Sequence, residues 1–321
     1  MSSRRKSQSS RPRNKSAKSQ YRFGIGEWYG TPFDAMSPEQ RRSYAAIQLQ
    51  EEKPSIPCPF LSKNGVTRAC WKAGGICSLR SYERTHDGIV TVNQNKETFR
   101  STCPSRFEQD DIVYRWIGDV VLANRDAIPV PEIPFLQRVP RLGIDNPQIK
   151  RHVGRIDKVL VVPSGNALMW CPVETQAVYF SGKKMLHEFR HIAEFTGEGI
   201  PFPILNRRPD YRSSGPKRLL PQLQVKVPTL RIWGKKMAVV IDQDFFGEFS
   251  EIQSVNDISN AEIIWFVVSF TPDESGKVYL RPVRAIMTTL EDSIKALVAA
   301  VPLPKSNFED LLKNKLTQLR T

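Results

Sequence analysis

The chain has 321 residues, is 40% apolar and carries a net charge of +14, so it is long enough to bury a large core and basic enough to favour a polyanionic partner. Its longest apolar run, "IIWFVVSF" at 263–270, is well short of the ~18 residues of a membrane span, and no apolar leader follows the basic start, which predicts a soluble protein. Five cysteines in such a chain argue against a disulfide framework and for free thiols or metal ligation.

The first twenty residues hold seven Lys or Arg and no acid in a Ser-rich stretch, which predicts a disordered basic tail over 1–20 and leaves +7 on the remainder. Ser37-Pro38-Glu39-Gln40 is a capping box with Pro at the first helical position and predicts a helix to about Glu52. Ser105-Arg106-Phe107-Glu108 is a second box, followed by a helical stripe through Ile112, Val113, Trp116, Ile117, Val120 and Val121. Between these helices lie Cys58, Cys70, Cys77 and Cys103, separated by 11, 6 and 25 residues. Pro59, Gly65, Gly74, Gly75 and Pro104 are turn formers that let backbone wrap around an ion. Residues 21–128 therefore read as a helical region with a closed four-thiolate site; four unrelated buried thiols are the alternative.

Pro129, Pro131, Pro134, Pro140 and Pro147 predict extended or turn structure and a boundary, with 129–321 as the second region. Next, "RIDKVLVVPSGNALMWCPVETQAVYF" reads as a hairpin about Pro163-Ser164-Gly165-Asn166. A turn centred near Gly165 sets Asp157 and Glu174 at mirror positions on one face, with Gln176 one pleat further on. Like charges that close need an intervening cation, and carboxylate oxygens suit Mg²⁺. The competing reading places Asp157 at a solvated strand end with Glu174 and Gln176 facing water.

"KKMLHEFRHIAEFTGEG" predicts an amphipathic helix whose His187 and His191, lacking an HExxH context, read as a solvated face. The loop-rich segment 206–236 holds nine basic residues against one acid: Arg207, Arg208, Arg212, Lys217, Arg218, Lys226, Arg231, Lys235 and Lys236. Such a cluster suits DNA phosphates, with a few arginines able to read guanine edges. "KMAVVID" and "EIIWFVVSF" are two further core strands, and capping boxes at Thr288 and Ser306 open the last two helices.

The blocks "CPF...CWKAGGICSLRSYE", "VGRIDKVLVV...WCPVETQAVYFSG" and "RSSGPKRLLPQLQVKVPTLRIWGKKMAVVID" together resemble the NotI-type restriction endonucleases from about Pro54 to about Phe270. That resemblance implies an α/β fold with a PD-(D/E)xK nuclease core, a central mixed β-sheet flanked by helices. It implies a bacterial, cytoplasmic homodimer that cleaves double-stranded DNA with Mg²⁺ at a GC-rich palindrome. Asp157, Glu174 and Gln176 match its catalytic motif, with Gln in place of Lys and Asp157 and Glu174 holding Mg²⁺. Cys58, Cys70, Cys77 and Cys103 match its structural iron site, for which zinc is the alternative. Two other classes fit the same residues: a non-catalytic DNA-binding protein with a structural thiolate site, and a structure-directed repair nuclease or resolvase.

Overall fold

The computed structural model of the chain describes residues 20–93, 99–137, 152–165, 167–182, 184–274, 276–300 and 303–319. The basic tail expected over 1–20 lies outside these residues except for its last position, as do Asn166, Pro140 and Pro147.

Two sheets carry the fold. In the first, β1 (Gln20–Trp28) lies between β2 (Thr31–Pro32) and β3 (Ile76–Arg84), and β3 also pairs with β4 (Val90–Val92) and β5 (Arg100–Ser101), all antiparallel. Residues 21–128, expected to be helical, are thus built on a sheet. The strands escape the apolar-alternation signal because they bury polar residues, Glu27, Ser78, Arg80 and Ser81, on partners distant in sequence. The helix expected after Ser37 is present as α1 (Pro38–Leu49), with the capping box formed in both directions. The second expected helix is broken. Pro104–Asp111 is a 3-10 stretch, Asp110 and Asp111 take left-handed φ of 51° and 55°, and only then do α2 (Ile112–Ile117) and a π turn (Gly118–Leu122) follow. Ser105 does not cap it; its hydroxyl accepts from Trp71 Nε1 at 2.9 Å.

The second sheet contains β6 (Ile128–Gln137), β7 (His152–Ser164) and β8 (Ala167–Gln176). After the two-residue strands β9 (Phe180–Ser181) and β10 (Arg208–Pro209), which pair with each other, it continues with β11 (Met237–Asp242), β12 (Ile263–Pro272) and β13 (Val278–Thr288). The order is β13-β12-β11-β8-β7-β6, parallel across β8, β11 and β12 and antiparallel elsewhere, which makes the central sheet mixed. Pro129, Pro131 and Pro134 fall in β6, and an edge strand tolerates missing N–H donors.

Helices α4 (Tyr211–Ser214), α5 (Leu220–Ile232), α6 (Gln243–Phe246) and α7 (Leu290–Val298) flank this sheet, α3 (Leu186–Glu194) packs against α1, and α8 (Lys305–Leu319) is exposed along its length. One face packs Val239, Ile241, Trp265 and Val267 against Leu223, Val227 and Leu230 of α5, and the same cluster takes in Trp28 and Tyr82 of the first sheet. The other packs Val173, Val240, Phe266 and Val268 against Phe107, Val113 and Ile117. The segment 206–236, expected as loop-rich, is largely helical through α4, a π turn (Gly215–Leu219) and α5, despite Pro216, Pro221 and Pro228. Thr289, not Thr288, caps α7, while Thr288 is buried against Trp265 and Ser293; α8 starts at Lys305, so Ser306 lies inside it. Among the described residues no helix is long and apolar enough to cross a membrane.

The sheets are joined by Arg106, whose side chain is fully buried. Its Nε donates to both oxygens of Glu27 at 3.0 Å, its Nη2 to the Val278 carbonyl at 2.9 Å and its Nη1 to Gln109 Oε1 at 2.7 Å. Arg106→Met strands the Glu27 carboxylate without its cation, and its unfolding free energy in urea is expected to fall by about 3–5 kcal/mol. Adding Glu27→Gln should recover more than half of that loss; no recovery in the double variant would mean that the pair is not the cause.

A second buried acid gives the fold a pH dependence. Asp242 ends β11 and caps α6 by accepting from Phe245 N at 2.8 Å, and burial, followed by the charge of Asp244, pushes its carboxyl up to about 7. The unfolded group ionises near 4, so between about pH 4 and 7 the native state holds a proton that the unfolded chain has lost. Stability from this group is therefore full below about pH 4 and is lost as pH rises through about 7, by on the order of 3–4 kcal/mol. Asp242→Asn keeps the capping oxygen and removes the titration, so the urea midpoint of the variant minus that of wild type should rise steadily from about pH 5 to 8. A constant difference would exclude Asp242 as the source.

Candidate active site

The β7–β8 hairpin sets the geometry. Ser164 pairs with Ala167 and Lys158 with Val173, a register that carries Asp157 directly opposite Glu174, as the turn at Gly165 predicts. Asp157 Oδ2 accepts from Thr175 N at 3.1 Å, and Glu174 Oε1 accepts from Asp157 N at 3.4 Å. Asp157 is exposed, whereas Glu174 is 3% exposed. Period-two alternation turns Glu174 towards the sheet face covered by α5, beside Val239 of β11.

Burial, and after it the neighbouring Asp157 charge, pushes the Glu174 carboxyl up to about 7, against the opposing pull of Lys226. Lys226, on α5 and 5% exposed, donates from Nζ to Glu174 Oε1 and, at 3.0 Å, to Gln222 Oε1 one turn earlier. It was expected among the surface DNA contacts, and its buried position corrects that expectation. The spacing Leu223, Lys226, Val227, Leu230 places the lysine on the apolar stripe of α5. That pattern is present in the sequence but is masked by Pro221 and Pro228.

Gln176 lies two residues beyond Glu174 on the same strand face, and its Nε2 donates to the Ala177 carbonyl at 2.7 Å. It lines a cleft of about 340 Å³ together with Lys72, Thr102, Thr175, Tyr179 and Arg218. The other expected basic residues divide into groups. Arg207 is buried near Glu188, while Arg208, Arg212, Lys217 and Arg218 are exposed between β10 and α5, Arg218 lying over the Tyr179 ring at 4.5 Å. Arg231, Lys235 and Lys236 line a separate cavity of about 710 Å³ with Glu262 and Glu291; Arg231 pairs with Glu262 at 3.0 Å and Lys236 bonds the Ser259 carbonyl at 2.7 Å. Although larger, this cavity is lined by none of Asp157, Glu174 and Gln176.

The four cysteines of the N-terminal region share one neighbourhood. Cys58 and Cys77 are buried with Phe60, and Cys70 packs against them. Cys70 and Cys103 both feel the charge of Cys58, and Cys77 feels that of Cys103. Burial raises the pKa of Cys70, Cys77 and Cys103, most strongly at Cys77, where Glu27 adds to it. Two left-handed glycines, Gly74 and Gly75 at φ of 80° and 68°, turn the chain into β3, and a side chain at Gly75 would meet the Tyr29 ring. Cys171 is buried apart in β8, its thiol pushed up to about 12 by burial.

Among the described residues no group of three or more His, Cys, Asp or Glu side chains is placed to hold a metal ion. For Mg²⁺ the carboxylate pair fits nonetheless, because this ion keeps several waters and takes one or two protein carboxylates with substrate phosphates. Four thiols with three raised pKa values are a donor set that a soft cation would stabilise, although they do not converge as they stand.

The model of the restriction endonuclease NotI family matches residues 43–280. No curated protein matches the chain significantly. DNA is the partner that this family implies. Because the matched residues run from within α1 to within β13, and so take in the hairpin, the cleft and helix α5 together, the chain belongs to the NotI restriction endonuclease family and is a type II site-specific deoxyribonuclease.

Proposed function

We propose that this endonuclease hydrolyses phosphodiester bonds of double-stranded DNA at a GC-rich palindrome, with Mg²⁺ held by Asp157 and Glu174 on a PD-(D/E)xK core. The observation that carries the reading is the placement of Asp157 opposite Glu174 next to a cleft bearing Gln176, Lys72 and Arg218. When bound there, Mg²⁺ supplies Lewis-acid neutralisation of charge on the reacting phosphate and lowers the pKa of a water. Asp157 is oriented for ligation by the Thr175 amide, and Glu174 by the Asp157 amide. Gln176 carries no charge and moves no proton, so its amide serves to hold a water or a phosphate oxygen by hydrogen bonds. Exposed Arg208, Arg212, Lys217 and Arg218 neutralise neighbouring phosphates, with Arg231, Lys235 and Lys236 as an outlying basic group. A palindromic target calls for a homodimer, since two-fold DNA symmetry mirrors two-fold protein symmetry. Such a nuclease works in the bacterial cytoplasm, where its DNA is.

In this reading residues 129–321 form the catalytic region, 21–128 the scaffold beside it, and 1–20 a disordered basic tail. Cys58, Cys70, Cys77 and Cys103 bind one structural iron, with zinc as the alternative ion. Four protein thiolates leave no open position, so the ion takes no part in hydrolysis.

Digestion of long GC-rich DNA in Mg²⁺ tests the activity. Discrete fragments are expected, and Asp157→Ala or Glu174→Ala should each lower the cleavage rate by at least about 1000-fold. Full activity in either variant would remove the site assignment. Binding without cutting would leave a DNA-binding protein, and cutting confined to branched DNA a resolvase. Elemental analysis of purified protein should find about one iron or zinc per chain, and Cys77→Ser should lose it and lower the melting temperature. Metal at trace level in wild type would sink the thiolate site.

A further inference from the structure

We propose that Lys226 is the positioning cation of the active site, holding Glu174 from helix α5 and supplying the positive charge that the neutral Gln176 on the strand does not. The proposal rests on the nuclease reading above and adds a residue to it.

The first ground is where the lysine sits. Leu223, Val227 and Leu230 on the same stripe of α5 are all fully buried core residues, and Lys226 lies among them at 5% exposure. A lysine in such a place loses its hydration, and a buried ion pair seldom repays that cost as stability alone. An apolar residue would pack there at least as well, so a stabilising role is a poor reason for this lysine.

The second ground is what it touches. Lys226 Nζ and Asp157 N both donate to Oε1 of Glu174. The carboxylate is thereby clamped through one oxygen from two sides, by the helix and by the partner strand. Gln222 accepts the same ammonium at 3.0 Å and fixes its rotamer. The lysine thus acts through Glu174 and does not reach DNA.

The third ground is that the neighbouring cations have other partners. Lys158, next to Asp157, pairs with Glu108 at 3.0 Å, and Arg155 pairs with Glu132 at 2.6 Å. Gln176 shares the face of Glu174 but has its amide turned onto the Ala177 carbonyl. Among the described residues Lys226 is the cation bonded to Glu174, and a helix delivers it across the sheet face.

The test compares wild type, Lys226→Gln and Lys226→Gln/Gln176→Lys by single-turnover cleavage of long GC-rich DNA in Mg²⁺, with DNA affinity measured separately in Ca²⁺. Lys226→Gln is expected to bind DNA within about twofold of wild type and to cleave about 100-fold more slowly or worse, a loss in the chemical step without a loss in binding. Returning the charge to the strand in the double variant, two residues from Glu174 on the same face, should recover about tenfold or more. A purely structural role would lower thermal stability and leave both the cleavage rate and the relocation rescue unmoved. Cleavage by Lys226→Gln within about threefold of wild type, or a double variant no faster than the single one, overturns the proposal. If Lys226→Gln does not fold, the double variant decides alone, since it keeps one lysine beside Glu174: measurable cleavage supports relocation and none overturns it. Full activity of Lys226→Gln beside an inactive Asp157→Ala defeats this inference only, whereas a wild type that cuts no DNA defeats the nuclease reading.

Discussion

The buried pair of Arg106 and Glu27 joins residues 79 apart in sequence and makes one body of the two sheets. Every nitrogen of the guanidinium has an acceptor: the carboxylate in β1, Gln109 in its own turn and the Val278 carbonyl in β13. Gln109 returns the link by accepting from Leu280 N at 2.8 Å. The same guanidinium lies over the rings of Phe60, beside the thiols, and Phe270, in the central sheet, at 4.6 and 4.7 Å. Removing so satisfied a charge from one side leaves the other desolvated and unpaired, which is why the N-terminal region cannot shift relative to the central sheet without breaking several bonds together.

That rigidity bears on the candidate active site through the cleft. Its walls come from both bodies, Lys72 and Thr102 from the cysteine-bearing region and Gln176, Tyr179 and Arg218 from the central sheet and its crossover. Lys72 is pinned by its bond to the Thr102 carbonyl at 2.6 Å, and Thr102 N in turn bonds the Cys77 carbonyl at 3.0 Å. A change in the thiol neighbourhood therefore reaches the cleft within two hydrogen bonds. The N-terminal region forms part of the cleft wall and is more than an appendage on the central sheet.

Local chemistry was legible in the sequence at the hairpin, the core strands and the first helix. A Pro-Ser-Gly turn fixes the hairpin register, and with it Asp157 opposite Glu174; unbroken apolar runs announce β11 and β12; Ser37 and Gln40 announce α1. Strands β1 and β3 were not legible, because Glu27, Ser78 and Arg80 are made compatible with burial only by partners such as Arg106, Asp34 and Phe99 that lie far along the chain. Lys226 was hidden for another reason. Two prolines in α5 suggest a loop, and in a loop a lysine among other basic residues reads as surface; only the helical spacing with Leu223 and Leu230 turns it inward.

Two buried ion pairs among the described residues have opposite designs. Arg106 spends all its donors inside the protein, on a carboxylate that the Ser78 hydroxyl also bonds at 2.7 Å, so nothing at that site is left to bind a ligand. Lys226 instead meets a carboxylate that already suffers the charge of Asp157, at the end of a hairpin where one acid is buried and the other is exposed. The first arrangement is closed and can only hold the fold together. The second sets two carboxylates against one ammonium, an imbalance that favours a further cation beside them.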